Sequence, residues 1–364
     1  QTSSYVLKHK AFQVLILYLL KRFEFNSNEF EDPSFFDAPF NTFTEFNQND
    51  FIMLFLVGSG STSNINVALH KQTLRLFAIK SFSPLFNDIF EREIQIYSSN
   101  FNNFCPFITK CYGYIRNSTK LVFEYMSRGS LNQIREKKLI NETINTKVML
   151  RILSAFVYLH SINMVYKDLK PENILFDHNF EPFLTDLGAV TSSDELTHSF
   201  GNLLFAAPEF LAKEDTDYPN KIDVYSFGRL LYYMCSENEN LSLQPNKTNA
   251  ILPHKYNVFQ DIYIHCTQEE PELRPNSTDL LFDLIYYERF FPETKKEEIK
   301  PLIKLIIENC FENKDIYKPF FYTRGISFNN NIEYSNELEE EIKKNDYLLF
   351  ELGNLYFYEF NDKS

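Results

Sequence analysis

The chain has 364 residues, is 44% hydrophobic and carries a formal charge of -13, which gives apolar material for a sizeable core and more length than one compact domain needs. A chain this acidic is a poor partner for nucleic acid or an anionic membrane surface. Its 5 cysteines are irregularly spaced and fit a reducing compartment with free thiols; Cys105 and Cys111 lack the companions a zinc site needs, so all are read as packing residues.

Residues 11–20 form an apolar run behind Lys8, His9 and Lys10. The run is only superficially like a signal peptide, because no small-residue cleavage site follows and Lys21-Arg22 comes at once. It is expected to be a buried or partner-facing helix. No window reaches the roughly 18 to 20 apolar residues of a spanning helix. Nothing marks secretion or anchoring, so a cytoplasmic place is the default expectation. Residues 26–48 are polar and Phe-rich, with Pro33 and Pro39 and no clear period; they read as a partly irregular extension.

Residues 51–57 are apolar and β-prone and run into Gly58-Ser59-Gly60-Ser61-Thr62-Ser63-Asn64-Ile65. Strand, glycine turn, strand predicts a hairpin. A dinucleotide fold or a Walker-type loop would follow its glycines with a helix, so neither is expected. Such a hairpin can fold over a ligand and offer backbone N–H groups to phosphates, with Gly58 and Gly60 permitting close approach. Residues 76–80 make a third strand ending on Lys80, and residues 86–98 a helix carrying Glu91 and Glu93. A buried Lys stays charged beside a carboxylate. Glu93, set among Ile89, Ile94 and Tyr97, is preferred over Glu91. Residues 107–115 and 120–125 read as strands around Arg116-Asn117-Ser118. Residues 127–131 read as a connector between lobes, with a helix beginning near Ser130.

The spacing of Val148, Leu150, Ile152, Leu153, Phe156, Val157 and Leu159 predicts a helix over 143–161. That helix delivers the chain to Tyr166-Lys167-Asp168-Leu169-Lys170-Pro171-Glu172-Asn173-Ile174-Leu175. An acid, a base and an amide in one turn make sense where a ligand has a proton to lose, a phosphate to hold and a metal to share. A charged helix-to-strand connection is the plain alternative. Next come Thr185-Asp186-Leu187-Gly188 and a loop rich in hydroxyls (Thr191, Ser192, Ser193, Thr197, Ser199). Ala207-Pro208-Glu209, an apolar helix from Asp223, and Arg274-Pro275 before a helix to about 291 complete this half.

Order and spacing together resemble the eukaryotic protein kinase family over roughly residues 50–291. Gly58 to Ile65 resembles its glycine-rich loop, and Ala78-Ile79-Lys80 its strand-three motif. Tyr166-Lys167-Asp168 with Lys170 and Asn173 resembles its catalytic loop, Asp186-Leu187-Gly188 its Asp-Phe-Gly, and Ala207-Pro208-Glu209 its Ala-Pro-Glu. Asp223 and Arg274 match two structural landmarks of the large lobe. The resemblance implies an α+β, bilobal protein-kinase fold. A small β-rich N-lobe would cover 49–126 and a larger helical C-lobe 127–291, flanked by an extension at 1–48 and a helical tail at 292–364. It implies ATP and Mg2+ as cofactors. Lys80, held by Glu93, would contact the α and β phosphates under Val57, Gly58, Ser59, Gly60 and Ser61. Asn173 and Asp186 would hold the metal, Asp168 would orient the attacking hydroxyl and accept its proton, and Lys170 would neutralise the transferring phosphoryl group. Ile65, Ala78 and Leu175 would sandwich adenine, the backbone of Glu124 and Met126 would bond it, and Phe123 would line the back of the pocket. Glu209 would pair with Arg274. Lys170 resembles serine/threonine kinases. The segments 123–126, 129–131 and 223–228 look like the tyrosine-kinase-like group, which implies mostly serine and threonine hydroxyls of proteins as substrates, with dual specificity open.

Several residues depart from the family's pattern. Tyr166 and Leu187 stand where it has His and Phe, both packing roles. Lys167 replaces an Arg that reads a phosphorylated loop in bidentate fashion, which a point charge does less well. The loop hydroxyls Thr191, Ser192, Ser193, Thr197 and Ser199 are candidate phosphosites; plain solvated hydroxyls are the alternative. Asn202 sits where serine/threonine kinases often carry a Thr that reaches the catalytic Asp and Lys, and its longer side chain can misplace them. That leaves a second reading, a pseudokinase: a nucleotide-binding scaffold acting through protein interaction. Near the end, Leu352-Gly353-Asn354-Leu355-Tyr356 resembles the first helix of tetratricopeptide-like repeats, a docking arm for partner proteins; a plain amphipathic helix is the alternative.

Overall fold

The computed structural model describes residues 42–73, 75–99, 105–195, 202–236 and 250–310. The helix expected at 11–20, the repeat-like segment near the end, and Thr197 and Ser199 lie outside them. The chain divides into two units, Gln1–Pro292 and Glu293–Ser364. Among the described residues no helix is long and apolar enough to cross a membrane.

The first unit opens with β1 (Thr44–Phe46), β2 (Phe51–Ser59), β3 (Ser63–His70) and β4 (Leu76–Phe82), then helix α1 (Asn87–Ser98), β5 (Cys111–Ile115) and β6 (Lys120–Glu124). These strands form one sheet in the order β1-β5-β6-β4-β3-β2. Side chains alternate across a strand, so the sheet has two distinct faces. One carries a core of Phe46, Phe51, Ala68, Phe77, Ile79, Tyr112, Ile115 and Val122. On the other, Ile65 pairs across from Lys80 and Val67 from Ala78, while Lys80 also faces Leu121 and Ala78 faces Phe123. Register alone therefore puts the Lys and the proposed adenine contacts on one surface.

β1 falls in a stretch that the sequence leaves irregular. Three residues are too few to show an alternation, and the strand exists because of its neighbour. It runs parallel to β5, with Thr44 opposite Gly113 and Phe46 opposite Ile115. Gly113 has φ 149°, and a Cβ there would lie 1.7 Å from the Thr44 carbonyl oxygen, so only glycine lets the strands meet. Phe46 is 3% exposed, the Arg116 N–H donates to the Phe46 carbonyl at 2.9 Å, and the Arg116 guanidinium pairs with Glu45.

The remainder of the unit is mainly helical. It contains β7 (Gly129–Ser130), α2 (Leu131–Glu136), α3 (Glu142–Ser161), β8 (Met164–Val165), β9 (Ile174–Phe176), β10 (Pro182–Leu184), β11 (Thr191–Ser192), α4 (Pro208–Ala212), α5 (Lys221–Cys235), α6 (Gln260–Cys266) and α7 (Ser277–Tyr286). Asn141 starts α3 by accepting a hydrogen bond from the Ile144 N–H at 2.9 Å. α3 is buried on nearly every side because it packs on β8, β10, α5 and α7. α5 is likewise buried nearly all round, its charged residues Lys221, Asp223 and Arg229 included. In the second unit, α8 (Lys296–Cys310) buries Ile299, Leu302, Ile303, Ile306 and Ile307, a single helical stripe.

Candidate active site

The turn at 166–173 is held from below by one carboxylate. Asp223, in the first turn of α5, accepts from the Tyr166 N–H at 2.8 Å and the Lys167 N–H at 2.7 Å. The His160 Nε2 lies 2.9 Å from the same group. Asp223 is fully buried, so these bonds act in a low dielectric and fix the backbone firmly. They hold Lys167 at φ 69°, a conformation that a non-glycine residue rarely adopts unaided. Tyr166 is buried, and its hydroxyl donates to the Thr185 carbonyl at 2.5 Å. It thus does more than fill the space of the usual His: it ties this turn to the segment leading into Asp186.

Above that anchor, Asp168, Lys170 and Asn173 converge. The Lys170 Nζ is 2.5 Å from Asp168 Oδ2, and the Asn173 amide donates to Asp168 Oδ2 at 3.0 Å and to the Asp168 carbonyl at 2.9 Å. Burial raises the Asp168 carboxyl above its ordinary range, with Lys170 working against that rise. Asn202 reaches neither Asp168 nor Lys170. Its side-chain oxygen accepts from the Leu204 N–H at 3.0 Å, closing its own turn.

Lys80 ties the sheet to this helical body. Its ammonium is 2.6 Å from Glu93 on α1 and 2.9 Å from Asp186. Glu93 is fully buried, whereas Glu91 is exposed, which settles their competition. Burial opposes the charge on Lys80, yet Asp186 and Glu93 outweigh it and hold the group protonated. Burial pushes the other way on Glu93, raising its carboxyl to about 7 against the pull of Lys80. Asp186 also feels burial, but Lys80 outweighs it and keeps the carboxyl below its usual range. Asp186 sits in the left-handed region at φ 60°. Gly188 follows because a Cβ there would lie 2.7 Å from Glu93 Oε1.

The glycine hairpin forms as predicted. Gly58 pairs with Ile65 and Ser59 with Asn64, and the Gly60 N–H donates to the Ser63 carbonyl at 2.9 Å. Val57 is exposed on β2, and Ser61 lies in the turn. Phe123 and Met126 are buried at 7% and 6% exposure. Leu175 sits mid-strand in β9 between Phe183 and Ser130. The expected Glu209–Arg274 pair is bidentate and buried, with contacts of 2.6 and 2.9 Å.

Of the hydroxyls after Asp186, Thr191 and Ser192 pair with Val165 and Met164 in the β8–β11 ribbon. The Thr191 hydroxyl is buried without a hydrogen-bond partner, so modifying it requires that ribbon to open. The Ser192 hydroxyl accepts from the Asp194 N–H at 3.3 Å, and the Ser193 N–H donates to the Asn163 carbonyl at 2.8 Å.

Sequence reasoning set Tyr97 beside Glu93 as an apolar neighbour and missed the polar end it buries there. Tyr97, one turn further along α1, is buried with its hydroxyl unpartnered, as is Glu93 Oε2. Its ring lies 5.2 Å from that of Phe123. The spacing of Tyr97 from Glu93 places it there, but its polar end gave no signal.

A six-stranded sheet joined to a helical body through a Lys that bonds a carboxylate from each defines a two-lobed α+β class of fold. The family model for the protein kinase domain matches residues 51–313, and the chain belongs to that family, with its bilobal fold. Over 191 residues it is 30% identical to mitogen-activated protein kinase kinase 1 of Arabidopsis thaliana, covering 50% of this chain and 53% of that protein. Over 275 residues it is 28% identical to serine/threonine-protein kinase pakG of Dictyostelium discoideum, covering 70% and 23%. Serine/threonine-protein kinase sgk-1 of Caenorhabditis elegans is 30% identical over 201 residues, covering 51% and 42%. The chain spans less than two thirds of the length of each of these relatives.

Proposed function

We propose that this chain transfers the terminal phosphoryl group of ATP to serine and threonine hydroxyls of proteins. The carrying observation is the joint presence of the Lys80–Glu93–Asp186 ion set and the Asp168–Lys170–Asn173 turn. Asp168, its carboxyl raised by burial, is suited to orient a substrate hydroxyl and take its proton. Lys170, already at Asp168, is suited to neutralise charge on the moving phosphoryl group.

The donor set fits a hard cation. Among the described residues no three His, Cys, Asp or Glu side chains gather as a metal site. Asp186 has one oxygen engaged with Lys80 and the Gly188 N–H, and the Asn173 amide nitrogen is spent on Asp168. That leaves the second Asp186 oxygen and the Asn173 oxygen for Mg2+, which takes its other ligands from phosphates and water. The bound ion supplies charge neutralisation between the phosphates. Adenine would lie between Ile65, Ala78 and Leu175 with Phe123 behind it. The Glu124 N–H already donates to the Lys110 carbonyl at 2.9 Å, and the Met126 carbonyl accepts from Gly129 at 3.3 Å. The base would be bonded by the backbone of Glu124 and Met126. The loop Val57 to Ser61 would cover the phosphates.

Serine/threonine preference is supported by Lys170 and by the names of the relatives. A place in the tyrosine-kinase-like group rests on the segments 123–126, 129–131 and 223–228 alone. Thr191, Ser192, Ser193, Thr197 and Ser199 are our candidate sites of regulatory phosphorylation, and the tail beyond 292 our candidate docking arm.

Magnesium-ATP turnover on a degenerate Ser/Thr peptide library tests the reading. Asp168→Asn is expected to lower kcat by about 10²- to 10⁴-fold, the usual worth of a positioned base. Equal turnover by wild type and variant would overturn it.

A further inference from the structure

Arg229 stands within an apolar stretch of α5, between Phe227 and Leu230. It is 2% exposed, among the largest buried side chains described. A buried guanidinium is costly unless its hydrogens are used. Arg274 meets that demand with the Glu209 carboxylate. Arg229 instead sends its Nε–H to the Leu204 carbonyl at 3.0 Å. It also bonds the Tyr263 side chain and lies 5.7 Å from the Tyr232 ring centre.

The segment 202–207 that receives it is a tight turn. The Asn202 side chain accepts from the Leu204 N–H, and the Asn202 carbonyl accepts from the Phe205 and Ala206 N–H groups at 3.0 and 2.9 Å. Phe205 is buried, with its ring 6.2 Å from that of Tyr233 on α5. Ala206 and Ala207 pack in one cluster with Val165, just ahead of Asp168 in the chain. Leu203 and Leu204 are left facing out at 66% and 37% exposure. Next to it, Gly228 seats α5 closely on α6, since a Cβ there would come within 2.8 Å of the Cys266 and Thr267 side chains. A buried arm thus runs from the core of α5 to one carbonyl of a turn that abuts the catalytic loop.

We propose that Arg229 is a positioning residue for the protein substrate. It fixes the Leu204 backbone, and with it the surface over which the residues next to the acceptor hydroxyl must lie when that hydroxyl reaches Asp168. The inference rests on the kinase reading above. It assigns Arg229 to the binding of the protein substrate and not to that of ATP.

Steady-state kinetics of the full chain on the degenerate Ser/Thr peptide library, varying library and ATP separately, test this. Arg229→Met fills about the same space without the donor and is expected to raise the library KM about tenfold, the scale of one charge-assisted hydrogen bond, while the ATP KM stays near wild type; the thermal midpoint is expected to fall, because the Leu204 carbonyl and the Tyr263 side chain lose a partner. Arg229→Lys, which can still donate to a carbonyl, is expected to recover part of the loss. Asn202→Ala, which loosens the same turn from outside the core, is expected to raise the library KM alone. An active wild type with unchanged library KM in Arg229→Met and Asn202→Ala would overturn the inference by itself. So would a rise of the ATP KM in parallel with the library KM in Arg229→Met, the mark of a purely structural residue. A wild type silent on the library would overturn the kinase reading, and this inference with it.

Discussion

Lys167 shows what a single side chain costs at a site like this. Burial lowers its pKa from the ordinary 10.5 to about 8; Asp223 works against that fall and Arg92 adds to it. The unfolded chain keeps this proton up to about pH 10.4, so the unfolded state binds more protons than the folded one between about pH 8 and that value. Stability from this site therefore rises with pH across that window and is lowest below it. Lys167→Met is expected to raise the unfolding free energy at pH 7, with the gain shrinking toward pH 10, as read by denaturant titrations across that range. A gain independent of pH would show that the charge is not what costs. Residues whose chemistry was readable in the sequence share one property. Lys80, Glu93, Asp168, Asn173 and Asp186 meet one another through their own charged or amide groups. The role of Arg229 is different, since its acceptor is a main-chain carbonyl, which has no letter in the sequence.

At the scale of elements, the hairpin of β2 and β3 was legible because glycines and flanking β-prone runs sit side by side. β1 was not, because its information lies in another strand. Gly113 admits it, and Phe46 fills the sheet core. Gly113→Ala is expected to destabilise the N-lobe by about 1–3 kcal/mol, the cost of one strained backbone position, or to expel β1; thermal denaturation and protection of the β5 amides would report either. Gly60→Ala provides the contrast. A Cβ there meets only the Ser63 carbonyl at 3.6 Å, so stability is expected to hold and any loss to fall on nucleotide binding.

Across the whole molecule, the two lobes were legible because a period of two gives way to a helical one near Ser130, and because short motifs mark both sides of that change. The join between the lobes was less so. The Lys80–Asp186 bond links residues far apart in the chain, and the shell of Tyr97 and Glu93 behind it exists only once α1 has packed. The limits of the family match expose a similar gap. The match begins at residue 51, whereas the N-lobe core already includes Phe46. A chain cut at that first matched residue would keep every group proposed for chemistry, yet it would lose the strand that covers β5. The N–H and C=O groups along the outer side of β5 would then be exposed next to an empty apolar seat, and such an edge recruits strands from other molecules. Residues 51–364 alone are expected to self-associate in a concentration-dependent way by sedimentation, while the full chain does not. The first strand of this sheet would then guard the protein against its own copies, a service to solubility that no catalytic assay would register.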